Sequence, residues 1–261
     1  MKFVLISPLI VFIFLKSTLA QTVQSYSTAH AHSYNDHRQY RPFSEAYDQQ
    51  FGSIETDVIL EKDMLYASHS SRDATPNRML SKLYLQPLSE KIDRNAGQAY
   101  AQREITLQLV FDLKSPATKT LEALVKELEK FKNLTEPNET FKIVITGNIP
   151  LPDSFDKYPS YISFEGVPDV TYTSKQLERI ALIGQSFKKY SSWNGEGPLP
   201  KNERKAINRV IQKTHALGKK IHFPDAPDNI NTWKILMGLQ VDYLDTGKVI
   251  QMGDYLRTAP R

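Results

Sequence analysis

Two rhythms of apolar and polar residues alternate along this chain. Short runs rich in valine, isoleucine, leucine and aromatic residues, at 27–31, 53–60, 106–112, 142–146, 161–164, 180–183, 220–223 and 242–244, have the length and composition of strands. Between most of them, apolar positions three and four apart predict helices over 42–50, 79–95, 118–131, 202–217, 230–239 and 249–256, with a shorter one near 174–179. The segment from Thr118 carries the helical pattern most clearly: Leu121, Leu124, Val125, Leu128 and Phe131 form one stripe. Val58, Ile59 and Leu60 are apolar at successive positions, as in a strand buried on both faces. Strands alternating with helices predict an α/β fold with a parallel sheet under helices. Eight such units in a chain near the typical ~250 residues point to a single-domain (β/α)8 TIM barrel. An open doubly wound sheet is the alternative, but neither glycine-rich phosphate loop of the nucleotide-binding folds occurs.

The chain has 261 residues, 40% hydrophobic and 24% charged, and only its start departs from ordinary globular composition. Lys2 precedes an apolar run from Phe3 to Leu15, and Lys16-Ser17-Thr18-Leu19-Ala20 follows with small residues where a signal peptidase cuts. This predicts a signal peptide over 1–20 cleaved after Ala20, a mature domain over 21–261, and a secreted or periplasmic protein. The run is short for a transmembrane span. There is no cysteine, which excludes disulfides, zinc–thiolate sites and a lipoprotein signal, and leaves stability to the core. The formal charge of +4 falls to +2 once Lys2 and Lys16 leave with the leader. No basic stripe with interleaved aromatics is present, so nucleic acid is not an expected partner. Nor does any basic amphipathic stretch predict stable insertion into a bilayer.

Candidate chemistry begins with Glu55 and Asp57. Alternation along a strand turns both carboxylates to one face, and two acids on an otherwise apolar strand are costly without a positive partner. A divalent cation such as Mg²⁺ or Ca²⁺, which takes oxygen ligands, is the usual compensation. Asp112 and Lys114 repeat the spacing at the end of another apolar run, just before Pro116. An acid for a metal beside a lysine for an anion suits phosphate chemistry, whose transition state spreads negative charge over non-bridging oxygens. In a barrel the chemistry sits at the carboxyl ends of the strands, where His32, Asn148, Glu165, Asp225 and Thr246 also fall. Two histidines, His32 and His69, bracket the Glu55–Asp57 pair and can exchange protons near neutrality. His215 lies inside a predicted helix and is assigned to structure. His222, between Ile221 and Phe223, is expected to face the helices instead of the lumen. Trp193, in the loop 190–198, offers an aromatic face over the barrel mouth or ordinary packing.

The order of these residues resembles the phospholipase C-like phosphodiesterase superfamily, which holds glycerophosphodiester phosphodiesterases, phosphatidylinositol-specific phospholipases C and sphingomyelinase D-type enzymes. The resemblance rests on a histidine after the first strand (His32), Glu55-Thr56-Asp57 on the second, His69 about a dozen positions on, and Asp112-Leu113-Lys114 on the third. It runs through the mature chain and is closest to a subgroup of bacterial secreted and fungal mitochondrial-inheritance proteins. The resemblance implies Glu55, Asp57 and Asp112 as ligands of Mg²⁺ or Ca²⁺, His32 and His69 as acid and base, and Lys114 as the phosphate-holding cation. His30 competes with His32 for the first role; His32 stands nearer Asn35 and Asp36. Ser33 replaces the arginine usual after the first histidine of glycerophosphodiesterases, and Ser70 replaces the acid common after the second. Both departures weigh against a glycerophosphodiester as the natural substrate and leave the metal acids intact.

The expected activity is therefore metal-dependent phosphoric diester hydrolysis of a small glycerophosphodiester- or lipid-headgroup-like molecule by His/His acid–base catalysis, by water or through a cyclic phosphate. Asn35, Asn148, Glu165, Trp193 and Asp225 are the candidate substrate contacts. A barrel that binds phosphate esters or glycans without turning them over is the alternative, and a glycosidase using Glu55 and Glu165 is a third possibility.

Overall fold

The computed structural model describes residues 25–258, so the leader expected over 1–20 lies outside the described residues. Nine strands form one sheet: β1 Ala31–Ser33, β2 Ser53–Glu61, β3 Met64–Ala67, β4 Leu107–Leu113, β5 Phe141–Gly147, β6 Ile162–Gly166, β7 Ile180–Gly184, β8 Lys220–His222 and β9 Leu244–Thr246. Eight of them run parallel in the order β8-β7-β6-β5-β4-β2-β1-β9, and β3 pairs antiparallel with β2 outside that path. The ends approach where the Asp242 and Tyr243 N–H groups both donate to the Ile221 carbonyl, at 3.1 and 3.2 Å. This seam between β8 and the start of β9 nearly closes the sheet, and the molecule is the expected (β/α)8 barrel.

The outer layer is made of α1 Ser44–Asp48, α2 Gln86–Arg94, α3 Ala117–Leu128, α4 Lys132–Thr135, α5 Ser174–Glu178, α6 Lys201–Ala216, α7 Ile230–Gly238 and α8 Val249–Thr258. Leu121, Leu124 and Leu128 on α3 are buried, as their stripe predicts. The helix expected over 79–95 begins as a π-helical turn, Ser81–Leu85, before α2.

Alternation along the strands divides two environments. Ile54 and Val58 of β2, Leu109, Phe111 and Leu113 of β4, and Ile143 and Ile145 of β5 join the apolar cluster under the helices. The intervening residues, among them Ser53, Glu55, Asp57, Gln108, Asp112 and Thr146, turn the other way. The core is thus the annulus between sheet and helices, while the lumen holds these polar groups together with the buried Val110 and Val144.

Two strands are displaced from their expected positions. Residues 28–30 form a 3-10 turn in which His30 Nδ1 accepts from the Ser27 N–H at 3.1 Å, and the strand starts only at Ala31. The last strand begins at Leu244, because Asp242 and Tyr243 are spent on the seam. No helix among the described residues is long and apolar enough to cross a membrane.

Candidate active site

Two local features of β2 create the site. Glu55 and Asp57 stand two apart on one face, and β2–β4 register sets Asp57 directly beside Asp112. Beyond Glu61, Lys62 and Asp63 turn the chain with φ of 48° and 62°, the positive pair of a tight hairpin turn, and β3 returns along β2. The Ser68 N–H then donates to the Asp57 carbonyl at 3.0 Å, so His69 arrives beside the Asp57 side chain.

One carboxylate oxygen from each of Glu55, Asp57 and Asp112 lies within 4.8 Å of the other two. Each aspartate gives one oxygen to a protein partner. Asp57 Oδ2 accepts from His69 Nδ1 at 2.6 Å, and Asp112 Oδ2 accepts from Lys114 Nζ at 2.5 Å. Both Oδ1 atoms are buried without a hydrogen-bond partner, although Lys114 Nζ stands 3.5 Å from that of Asp57. Buried, unsatisfied carboxylate oxygens are costly, and three hard oxygen donors around one point fit Mg²⁺ or Ca²⁺. Burial pushes the Asp112 carboxyl up to about 6, with Glu55 and Asp57 adding to the rise and Lys114 opposing it. Burial works against the Lys114 charge, but the hydrogen bond and charge of Asp112 outweigh it and hold the ammonium above its ordinary range.

Beneath the acids lies a second buried network. His32 is completely buried, with Nδ1 2.6 Å from Ser53 Oγ and Nε2 3.1 Å from Glu55 Oε2. Its ring packs 4.8 Å from that of His222. His222 in turn places Nε2 2.8 Å from Glu165 Oε1 and Nδ1 3.0 Å from both Asp245 oxygens. Burial disfavours the imidazolium, yet Asp245 and Glu165 overcome it and raise His222 well above the usual histidine range. The same pairing reverses the effect of burial on both acids, which are held below their ordinary values. His222 therefore faces the lumen, contrary to the sequence expectation. Ile221 and Phe223 pack under the helices, and both faces of a barrel strand are buried, so apolar neighbours do not reveal which phase points inward.

These groups border a cavity of about 550 Å³, lined by Glu55, His69, Asp112, Lys114, Glu165 and His222 among others. Asn35 and Asp225 also line it. Asn35 adopts φ 49° and Asp225 φ 65°, and Asp225 Oδ2 accepts from Ser186 Oγ at 2.6 Å. A register shift between Phe164 and Glu165 marks the point where the Glu165 side chain meets His222. Asn148 and Trp193 do not line the cavity. Asn148 Nδ2 donates to the Ser115 carbonyl at 3.2 Å, and Trp193 donates to the Glu196 carbonyl at 2.7 Å while packing near Phe187. His30 sits at the opposite end of β1, against Tyr26, so only His32 joins the cluster. His215 pairs with Asp242 at 2.8 Å on the outer layer. Asp245, Tyr34 and Arg38 border the cavity but carry no period-based signal. An acid among apolar neighbours in Tyr243-Leu244-Asp245 was the one available hint.

Glu55 converges on Asp57 and Asp112 with a lysine beside them, an arrangement that could hold a metal ion, while Glu165 is bound to His222. Residues 20–153, about half of the chain, match the AIM6-like phosphodiesterase domain. The chain belongs to this family. The matched part of the AIM6-like domain contains His32, Glu55, Asp57, His69, Asp112 and Lys114, and its family is the one that their order resembles. The AIM6-like chain is 28% identical over 238 residues to Altered inheritance of mitochondria protein 6 homolog of Arthroderma benhamiae, covering 75% of this chain and 72% of that one. Its barrel is similar to a glycerophosphodiester phosphodiesterase from Parabacteroides distasonis, with a TM-score of 0.53 at 12% identity, covering 88% of this chain and 98% of that one.

Proposed function

We propose that this phosphodiesterase domain hydrolyses a small phosphodiester of the glycerophosphodiester or lipid-headgroup kind, with Glu55, Asp57 and Asp112 holding Mg²⁺ or Ca²⁺ and with His69 and His32 moving the protons. The observation that carries it is the convergence of one oxygen each from Glu55, Asp57 and Asp112 within 4.8 Å, with the Oδ1 atoms of both aspartates buried and lacking a hydrogen-bond partner. When bound, the cation supplies positive charge to the phosphate oxygens and favours attack at phosphorus.

The chain's own groups have separable tasks. Lys114, half-buried and charged, offers its ammonium to a non-bridging phosphate oxygen. Asp57 accepts from His69 Nδ1, so that nitrogen carries a proton and Nε2 is the atom free to serve the substrate. His69 is 59% exposed at the cavity wall; as the imidazolium, with its second proton on Nε2, it is in position to give that proton to the leaving alcohol as the bond to phosphorus breaks. The attacking oxygen loses its proton as its own bond to phosphorus forms. His32 is the proposed acceptor by way of Glu55, which borders the cavity and whose Oε2 stands 3.1 Å from His32 Nε2, while Ser53 orients the ring.

The test is hydrolysis of an aryl phosphodiester by the mature chain, first in EDTA and then with Mg²⁺ or Ca²⁺ restored. Activity should vanish on chelation and return with metal, and His69→Ala should lower kcat by about 10²-fold or more. Metal-independent turnover, or full activity in His69→Ala, would refute the assignment.

A further inference from the structure

His69 has a second depression on its other side, of about 500 Å³. The two cavities share Arg38 and His69, so these side chains form the ridge between them. Arg72 and Arg78 bring two further guanidinium groups to the second basin, against the single carboxylate of Asp73. Arg78 is fixed by donating to the His37 carbonyl at 2.5 Å, and Asp73 accepts from Ser70 Oγ at 3.1 Å. Arg38 and Arg72 form no ion pair among the described residues. His37, also on the wall, is only 4% exposed, and its Nδ1 is buried without a hydrogen-bond partner.

Three arginines around one hollow repel one another unless an anion sits among them. The guanidinium fork matches the oxygens of phosphate, and several forks around one pocket favour a compact, multiply charged group. The location restricts what that group belongs to. A diester centred on the acid cluster reaches the basin only by passing an ester arm over His69, the residue placed to protonate the leaving alcohol.

We propose that the substrate is a phosphodiester whose leaving-group arm bears a second phosphate, seated among Arg38, Arg72 and Arg78, so that cleavage releases a phosphorylated alcohol. This rests on the phosphodiesterase assignment above and names the substrate class of that site. Arg72 lies on an exposed 3-10 turn with no buried residues, so its replacement tests binding without opening the core.

The experiment compares kcat/KM for two matched diesters, glycerophosphoinositol and glycerophosphoinositol 4-phosphate, with the metal-loaded full chain. The phosphate-bearing diester is expected to be preferred by about tenfold or more, as one lost charge-assisted contact is worth roughly that much. Arg72→Ala should bring the ratio close to one, and Arg72→Lys should restore part of it. Equal kcat/KM values in the parent, or a preference that survives Arg72→Ala, would overturn the proposal. A second readout does not need turnover: binding of inorganic phosphate in EDTA, measured by calorimetry, should weaken about tenfold in Arg72→Ala. Unchanged phosphate binding counts against the basin. Arg72-dependent phosphate binding with both diesters inert would support the basin and sink the diesterase assignment instead.

Discussion

At the scale of single residues, the acid cluster depends on what is missing beside it. Gly147 ends β5 with φ +76°, and a Cβ there would lie 2.0 Å from Asp112 Oδ1 and 2.8 Å from the Leu113 carbonyl. The glycine thus leaves room for the Asp112 carboxylate in its present orientation. Gly147→Ala is expected to displace Asp112 and weaken divalent-cation binding at least tenfold, with a backbone cost of about 1 kcal/mol from the positive φ. Calorimetric titration with Mg²⁺ or Ca²⁺ checks it, and affinity equal to the parent would show that Asp112 is not a ligand. Gly184 plays the same part for the deeper network, since a Cβ there would overlap Glu165 Oε1. Sequence alternation identified Glu55, Asp57, Asp112 and Lys114, because two-residue spacing on an apolar strand fixes a shared face whatever the surroundings. Neither glycine was legible that way, as each matters only through an atom on a neighbouring strand.

At the scale of elements, the connection from β1 to α1 is held by one buried acid. Asp36 accepts from Ser33 Oγ at 2.8 Å, from the Phe43 N–H at 2.5 Å and from Tyr84 Oη at 2.8 Å. Tyr84 comes from the π-helical turn before α2, so a single carboxylate ties two connections to the end of β1 that carries His32. Burial raises Asp36 to about 6, although its three hydrogen bonds act to lower it. The folded state therefore holds this proton more tightly than the unfolded chain. The contribution to stability is fullest below about pH 4 and is lost as pH rises through about 6, by on the order of 3 kcal/mol. Asp36→Asn removes the ionisation, so the parent should lose stability relative to this variant between pH 4 and 7. Urea unfolding of both proteins across that range measures the difference, and a difference independent of pH would show that Asp36 titrates normally. The β2–β3 hairpin is the other decisive element. Its turn, Lys62-Asp63, lacks the glycine usual at such positive-φ positions and so carries little signal in the sequence.

At the scale of the whole molecule, the proposed cation adds a link between β2 and β4 to their backbone pairing and to the Gln108–Ser53 hydrogen bond of 2.9 Å, and it binds a constellation absent from the unfolded chain. Saturating Mg²⁺ or Ca²⁺, at about a hundred times its Kd, is expected to stabilise the barrel by about 2.7 kcal/mol, and Asp112→Asn should abolish the shift. Thermal unfolding in EDTA and in metal decides this without reference to activity; equal Tm values would mean that the acids hold no divalent ion. The sequence by itself determined the barrel class, the acid and lysine pairs, and the histidines on either side of β2. Those follow from periodicity and spacing along one strand at a time, which are local properties. Only the tertiary structure decided that His32 and not His30 joins the site, that His222 turns inward to Glu165 and Asp245, that Asn148 and Trp193 stay outside, and that three arginines meet behind His69. Alternation fixes that neighbouring side chains point opposite ways but not which way is in. That choice, and every contact between distant segments, is made by sheet register and by closure of the barrel.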